Sequence, residues 1–136
     1  MPDNRVITVK GNVRIQGPEL LFKPTMMGKD GMKGMHELCS SSTFASDVDV
    51  RKDLLKNVIL SGGSTMYEGL PERLKSEITK LCPPGSEVRI IASADRKYAV
   101  WKGASTLASL STFASSWVSA EDYQENGAAV VHRKCN

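Results

Sequence analysis

Val58-Ile59-Leu60-Ser61-Gly62-Gly63-Ser64-Thr65-Met66-Tyr67 is the stretch on which the reading of the fold turns. A short apolar run cut off by Ser-Gly-Gly has the pattern of a buried strand. A helix is expected soon after it. Thr65 and Glu68 have capping-box spacing, and Leu70, Leu74, Ile78 and Leu81 recur along one face. Pro83-Pro84-Gly85 stops that helix, and Val88-Arg89-Ile90-Ile91-Ala92 reads as a second strand. Strand, helix and strand in that order make a βαβ unit with parallel strands and a right-handed crossover. The fold class is therefore α/β.

Upstream of this unit, Val6-Ile7-Thr8-Val9 and Val13-Arg14-Ile15 flank Lys10-Gly11-Asn12, two alternating runs around a turn, so a β-hairpin is expected. Gly17-Pro18-Glu19 opens a brief helical turn through Phe22, and Lys23-Pro24 ends it. The segment Thr25 to Met35 holds Gly28, Gly31 and Gly34 among Met26, Met27, Met32 and Met35. It reads as a surface loop, either folded over its own core or kept as an adaptable contact surface. His36 to Ala45 is helical in pattern, Asp47 is placed to cap the next turn, and Val50 and Leu54 recur four apart.

Downstream, the chain is expected to be helical. Tyr98 to Leu110 is rich in small residues, with Trp101, Ser105 and Ala108 on one face and Val100, Ala104 and Leu107 beside it, a pattern that implies close packing against a neighbour. Ser119-Ala120-Glu121-Asp122 is a capping-box start, Gly127 closes that helix, and Ala128 to Arg133 adds a last turn. The organisation is residues 1–97, carrying the hairpin and the βαβ unit, followed by C-terminal helices over 98–136.

Composition narrows the classes. At 136 residues the chain suits one compact core, and 40% hydrophobic with 24% charged residues is globular rather than disordered. A net charge of +3, with no basic block, gives no grip for nucleic acid. No apolar stretch approaches the roughly 20 residues that span a bilayer. The polar start gives no secretory signal, so a soluble, intracellular protein is expected. Cys39, Cys82 and Cys135 are far apart and form no C-x-x-C pair, and His36 and His132 stand near no second ligand, so thiols in a reducing compartment are expected rather than a zinc site. Cys135, beside the C-terminus, is the most exposed to reaction.

Two places have the chemistry of a ligand site. At Leu60-Ser61-Gly62-Gly63-Ser64-Thr65 a strand end lets a ligand approach the backbone, and free N–H groups there can receive phosphate oxygens. The pattern is neither a Walker loop nor G-x-G-x-x-G, and a plain tight turn explains it as well. Asp95-Arg96-Lys97-Tyr98 follows the second strand, where loops of a parallel sheet line the ligand crevice. Lys97 can face the crevice of Gly63, or it can sit in a solvated charged turn. No Ser/His/Asp set, nucleophile elbow or HExxH is present, and Asp47, Asp49 and Asp53 read as solvated acids at a helix start.

These residues carry a resemblance. Asn57 to Tyr67, Arg96-Lys97-Tyr98-Ala99-Val100-Trp101, Leu107-Ala108-Ser109-Leu110-Ser111-Thr112-Phe113 and Val131-His132-Arg133-Lys134-Cys135 are similar to segments of actin, in order and with almost constant spacing. Pro2-Asp3 through Thr8, Phe22-Lys23-Pro24 and Asp47 to Leu54 match as well, so the resemblance runs the whole length. It implies the C-terminal part of the actin-like ATPase fold, from a divergent actin or actin-related protein. By motif match, Gly62, Gly63, Ser64, Met66 and Tyr67 would contact ATP or ADP from one side, and Lys97 would lie near the adenosine. The Thr25–Met35 loop would correspond to the one that filaments of the family use between strands. The helices from Tyr98 onward would belong to the other lobe, beside a cleft that receives partner helices.

The resemblance also implies what lies elsewhere. The chain would match roughly the last third of an actin. The first phosphate loop, the cation-binding aspartate and the water-positioning residues of the family would precede Met1, which stands at an interior position as in a fragment. Phosphoryl transfer needs those groups, so no catalytic residue and no metal ligand is assigned, and the chain alone is expected to be inactive. The implied partners are other actin-like subunits and actin-binding proteins, with no nucleic acid and no membrane insertion, in the cytoplasm and cytoskeleton. The alternative is a stand-alone actin-like interaction module that binds no nucleotide. Departures from the family are Lys29, Asp30 and Lys33 in the loop, Ser93-Ala94-Asp95 where prolines are usual, and Asn136 where an aromatic is usual.

Overall fold

The computed structural model describes residues 3–135; Met1, Pro2 and Asn136, on which the expected interior start and the expected departure at the last residue fall, lie outside them. The architecture is α/β, mostly helical with one small parallel sheet. Strand β1 (Val58–Ile59) pairs with β2 (Ile90–Ile91) in parallel register, Val58 opposite Ile90 and Ile59 opposite Ile91. The link between them contains a helix, α4 (Leu70–Leu81), so the βαβ unit is present.

The core lies where three elements meet. Leu70, Leu74 and Ile78 of α4, four apart, are buried with Phe22, Leu55, Leu60 and Val88. Helix α2 (Met35–Ala45) packs against α4, and α3 (Arg51–Lys56) packs against α2. The cluster is apolar throughout, and its stabilisation scales with the area removed from water, about 25 cal/mol per Å². Gly34, at the mouth of α2, is fitted tightly. A Cβ there would overlap the carbonyl oxygen of Phe22 and stand 2.8 Å from the His36 ring. The Gly34 N–H donates to the Glu37 carboxylate at 2.7 Å, closing the helix start.

Several expectations need correction. The hairpin over residues 6–15 does not form; residues 5–10 are irregular, and Gly11–Glu19 is a helix, α1. Val6, Ile7, Val13 and Ile15 are all exposed. A lone two-stranded hairpin is marginal, because half of each strand's hydrogen bonds and at least one apolar face go unused. With no third strand beside it among the described residues, the segment closes its hydrogen bonds locally as a helix instead.

The start of α4 also differs. Thr65 and Glu68 do not make a capping box; Gly69, in the left-handed region at φ 74°, is the N-cap, and Pro71 follows in the first turn. Leu81 is 46% exposed because the last turn of α4 runs past the core. On α3, the buried residue is Leu55 rather than Val50 or Leu54, since the helix begins only at Arg51 and turns a different face inward. The loop over 25–34 contains a 3-10 turn at Pro24–Met27, and its Met26, Met27 and Met32 are exposed whereas Met35 packs on the core.

The C-terminal helices form as expected: α5 (Ala99–Ala108), α6 (Ala120–Asn126) and α7 (Val131–Lys134). The capping box at α6 is complete. Ser119 Oγ accepts from Asp122 N–H at 3.1 Å, and the Asp122 carboxylate accepts from Ser119 N–H at 3.2 Å. Lys134 ties α7 to this cap, donating to Asp122 at 2.5 Å and to the Trp117 carbonyl at 2.9 Å. The close packing expected of α5 is not found: among the described residues none in α5 is buried, and Trp101 is 70% exposed.

Candidate functional site

The two loops singled out in the sequence meet in space. Parallel pairing of β1 and β2 sends both chains out of the same sheet edge, so the turn after Leu60 and the turn after Ala92 emerge side by side. Pairing continues one step beyond the strands, with Leu60 N–H donating to Ile91 O at 2.9 Å. Gly62 N–H then donates to Arg96 O at 2.9 Å, which locks the two turns together.

Gly62 holds φ at 95°, a conformation that side chains disfavour, and swings the chain into a 3-10 turn over Gly63–Met66. Thr65 secures the turn, its Oγ1 donating to the Gly62 carbonyl at 2.7 Å. The Arg96 guanidinium reaches across, donating from Nη2 to Thr65 O at 3.0 Å and from Nε to Thr65 Oγ1 at 3.2 Å. Another nitrogen, Nη1, donates to Ser93 O at 3.0 Å. One arginine therefore ties both turns, and its planar fork suits several acceptors at once. The sequence pattern names both stretches that hold Thr65 and Arg96 but gives neither residue this tying role. The available signal was an arginine in the turn after the second strand.

Lys97 follows Arg96 and lies against the glycine turn: a Cβ built on Gly63 would contact its Cγ at 4.0 Å. The pair expected from the sequence is thus brought together. Lys97 Nζ sits 5.1 Å from the Tyr98 ring centroid, a cation–π arrangement. Gly63, Ser64, Met66 and Tyr67 are exposed along the outer edge of the turn. Nothing stands within 4 Å of a Cβ built on Gly62, so the backbone there is open to approach. Behind the site, Asp95 accepts from Lys102 at 2.6 Å and from the Ser93 hydroxyl. The Lys102 contact above all, then Ser93, holds its carboxyl at about 2 rather than the ordinary 3.8.

A larger concave surface lies elsewhere. A cleft of about 640 Å³ lies between the methionine-rich loop, α2 and α4, lined among others by Phe22, Met32, His36 and Arg73. Its arginine is already paired. Arg73 donates to Glu19 at 3.2 Å and to Glu77 at 2.8 Å, and lies 4.9 Å from the Phe22 ring centroid. The glycine turn is an open rim rather than a cleft, so size favours one place and chemistry the other. The chemistry carries more weight here, because the turn offers unhindered backbone beside an exposed cation.

The family model described as actin matches residues 1–136, the whole chain. The chain belongs to the actin family. Among the described residues no helix is long and apolar enough to cross a membrane.

Proposed function

We propose that this actin-family chain is the C-terminal portion of an actin-like cytoskeletal protein, contributing one side of an ATP site together with contact surfaces for like subunits and actin-binding proteins. The supporting observation is the joined pair of turns, with Gly62 and Gly63 open to a ligand and Lys97 against them. In this reading Gly62, Gly63, Ser64, Met66 and Tyr67 meet the nucleotide along one edge, and Lys97 approaches the adenosine. Residues 1–97 end one lobe and 98–136 form helices of the other. The setting is the cytoplasm and its filaments.

The residues present fit the nucleotide on that one side. A phosphate-bearing ligand needs approachable backbone and positive charge; the Gly62 N–H is already given to Arg96 O, so the open glycine backbone offers the approach and Lys97 the charge. Bound ATP would bring the phosphoanhydride chemistry; this chain's residues would position and screen it. Among the described residues no three His, Cys, Asp or Glu converge, and no ligand in this chain is proposed for the divalent cation. Hydrolysis by the chain alone is not expected.

Titration of ATP into the purified chain, followed by calorimetry, tests the reading. Lys97→Ala is expected to weaken binding about tenfold, the equivalent of about 1.4 kcal/mol, while leaving the fold intact. Gly63→Val, which puts a branched side chain on the approach path, is expected to weaken it further. Binding that ignores both changes would sink the assignment. A second reading, an interaction module without nucleotide, is favoured by the exposure of Trp101, Leu107 and Trp117. No ATP binding, with retained capture of an actin subunit, would favour it.

A further inference from the structure

Arg96 belongs to the turn after β2, yet its side chain is held by the turn after β1. The hydrogen bonds close a ring. Gly62 N–H donates to Arg96 O at 2.9 Å, Thr65 Oγ1 donates to Gly62 O at 2.7 Å, and Arg96 Nε donates to Thr65 Oγ1 at 3.2 Å. Nη2 adds a bond to Thr65 O, and Nη1 fixes the other side of the fork to Ser93 O, both at 3.0 Å. Three nitrogens thus hold oxygens from two turns, which a planar guanidinium does and the single ammonium of a lysine does not. Bonds joined in this way polarise one another, so removing one weakens the rest. The neighbouring carboxylate does not draw the arginine away, because Asp95 accepts from Lys102 at 2.6 Å and from the Ser93 hydroxyl instead.

We propose, resting on the ATP reading of this rim, that Arg96 is a positioning residue for the nucleotide. It does not touch the ligand; it holds the glycine turn and Lys97 in the one arrangement that meets it. The two groups at stake are its ring neighbours. Gly63 follows Gly62, Lys97 follows Arg96, and Lys97 Cγ lies 4.0 Å from a Cβ built on Gly63. Opening the ring frees the open glycine backbone to drift from the exposed cation. Groups already in place bind more tightly, because binding does not have to order them. The contribution of Arg96 therefore runs through the backbone it ties and not through its charge, so Arg96→Lys keeps the charge and loses the function.

The test compares the 136-residue chain with its Arg96→Lys and Thr65→Val variants by hydrogen exchange at the Gly62 amide, thermal melting and calorimetric titration of ATP. In Arg96→Lys the Gly62 amide is expected to exchange about tenfold faster while the melting temperature barely moves, because the ring lies outside the α2–α4 core. ATP affinity is expected to fall about tenfold in the same variant. Thr65→Val should shift both values less, and Thr65→Ser, which keeps the hydroxyl, should restore them. In a Lys97→Ala background the Arg96→Lys loss should shrink to about twofold, since the cation it places is gone. Unchanged ATP affinity in Arg96→Lys, or strictly additive losses in that cycle, would overturn the positioning role and leave the nucleotide reading standing. A Gly62 amide that stays protected in Arg96→Lys would also overturn it. No ATP binding by the unaltered chain would defeat the nucleotide reading itself, and the positioning role with it.

Discussion

Helices α4 and α5 carry similar sequence patterns and meet opposite fates. Each is amphipathic, with apolar residues recurring at helical spacing. On α4 that face is covered: Leu70, Leu74 and Ile78 are between 0% and 4% exposed. On α5, Val100, Trp101 and Leu107 face outward, and each is more than half exposed. The difference is not in helix-forming tendency, since both helices form. It lies in the neighbours. α4 is the crossover of a βαβ unit, so chain connectivity returns it to the sheet and to α2; α5 leaves the sheet edge, and its main contacts among the described residues are with the turns at its two ends. A periodic pattern specifies which face wants cover, and topology decides whether cover arrives.

The sharpest way to break this contrast is a matched pair of truncations. Ile78→Ala removes a fully buried side chain and is expected to cost about 2–5 kcal/mol, whereas Leu107→Ala should stay within about 0.5 kcal/mol. Urea denaturation of both variants reads the two values. Equal losses would mean that α5 is buried in the protein as it exists in solution, with a partner copy as the first suspect. Consistent with exposed aromatic faces, the purified chain is expected to self-associate, and light scattering would show it.

Glycines sharpen the contrast by one step less. Gly34→Ala drives a methyl into the Phe22 backbone carbonyl and the His36 ring, with an expected loss of about 2 kcal/mol or more. Gly103→Ala, in the middle of α5 with nothing within reach of the new Cβ, is expected to gain up to about 1 kcal/mol of local helix stability. Opposite signs by thermal melting and far-UV dichroism are the expected outcome. A loss at Gly103 would reveal a close neighbour for α5.

The smallest effect is a pH response confined to the C-terminal region. Lys134 above all, and the Ser119 backbone and hydroxyl after it, hold Asp122 at about 2 instead of 3.8. A carboxylate with a lowered folded value contributes stability above its unfolded value and loses it as pH falls through the folded one. The clasp between α6 and α7 should therefore loosen as pH drops from about 4 toward 2, reported by Trp117, whose carbonyl Lys134 also holds. Asp122→Asn should remove that response. An unchanged profile in the variant would locate the transition at other carboxylates, such as Asp95 beside Trp101's helix.

Much of the βαβ unit was legible because its signals are local. An apolar strand cut by Gly-Gly, a four-residue repeat and a Pro-Pro-Gly stop each act over a few residues. The α6 cap was equally plain, since Ser119 and Asp122 complete each other within one turn. The hairpin over residues 6–15 was not, because an alternating pattern describes a strand only where another strand is present to pair with it. The α4 capping box failed for a related reason. Thr65 had a partner in the Gly62 carbonyl and accepts from Arg96, 31 residues away, while α4 begins only after Gly69. For the candidate site, the glycines, Arg96 and Lys97 could be named from the chain alone; that Arg96 joins the two loops could not.

By itself the sequence determined the family, the helix and strand order of residues 57–92, the capped C-terminal helices and the absence of a transmembrane-length apolar run. These follow from local hydrogen bonding, periodic burial and motif spacing, all of which survive without knowledge of neighbours. Only the tertiary structure decided that residues 11–19 turn helical, that α4 is covered while α5 is bare, and that Arg96 staples the Gly62 turn. Each of those depends on which surfaces meet across long stretches of chain. Contact between distant residues is set by the packing of whole elements, a property that no short window of sequence contains.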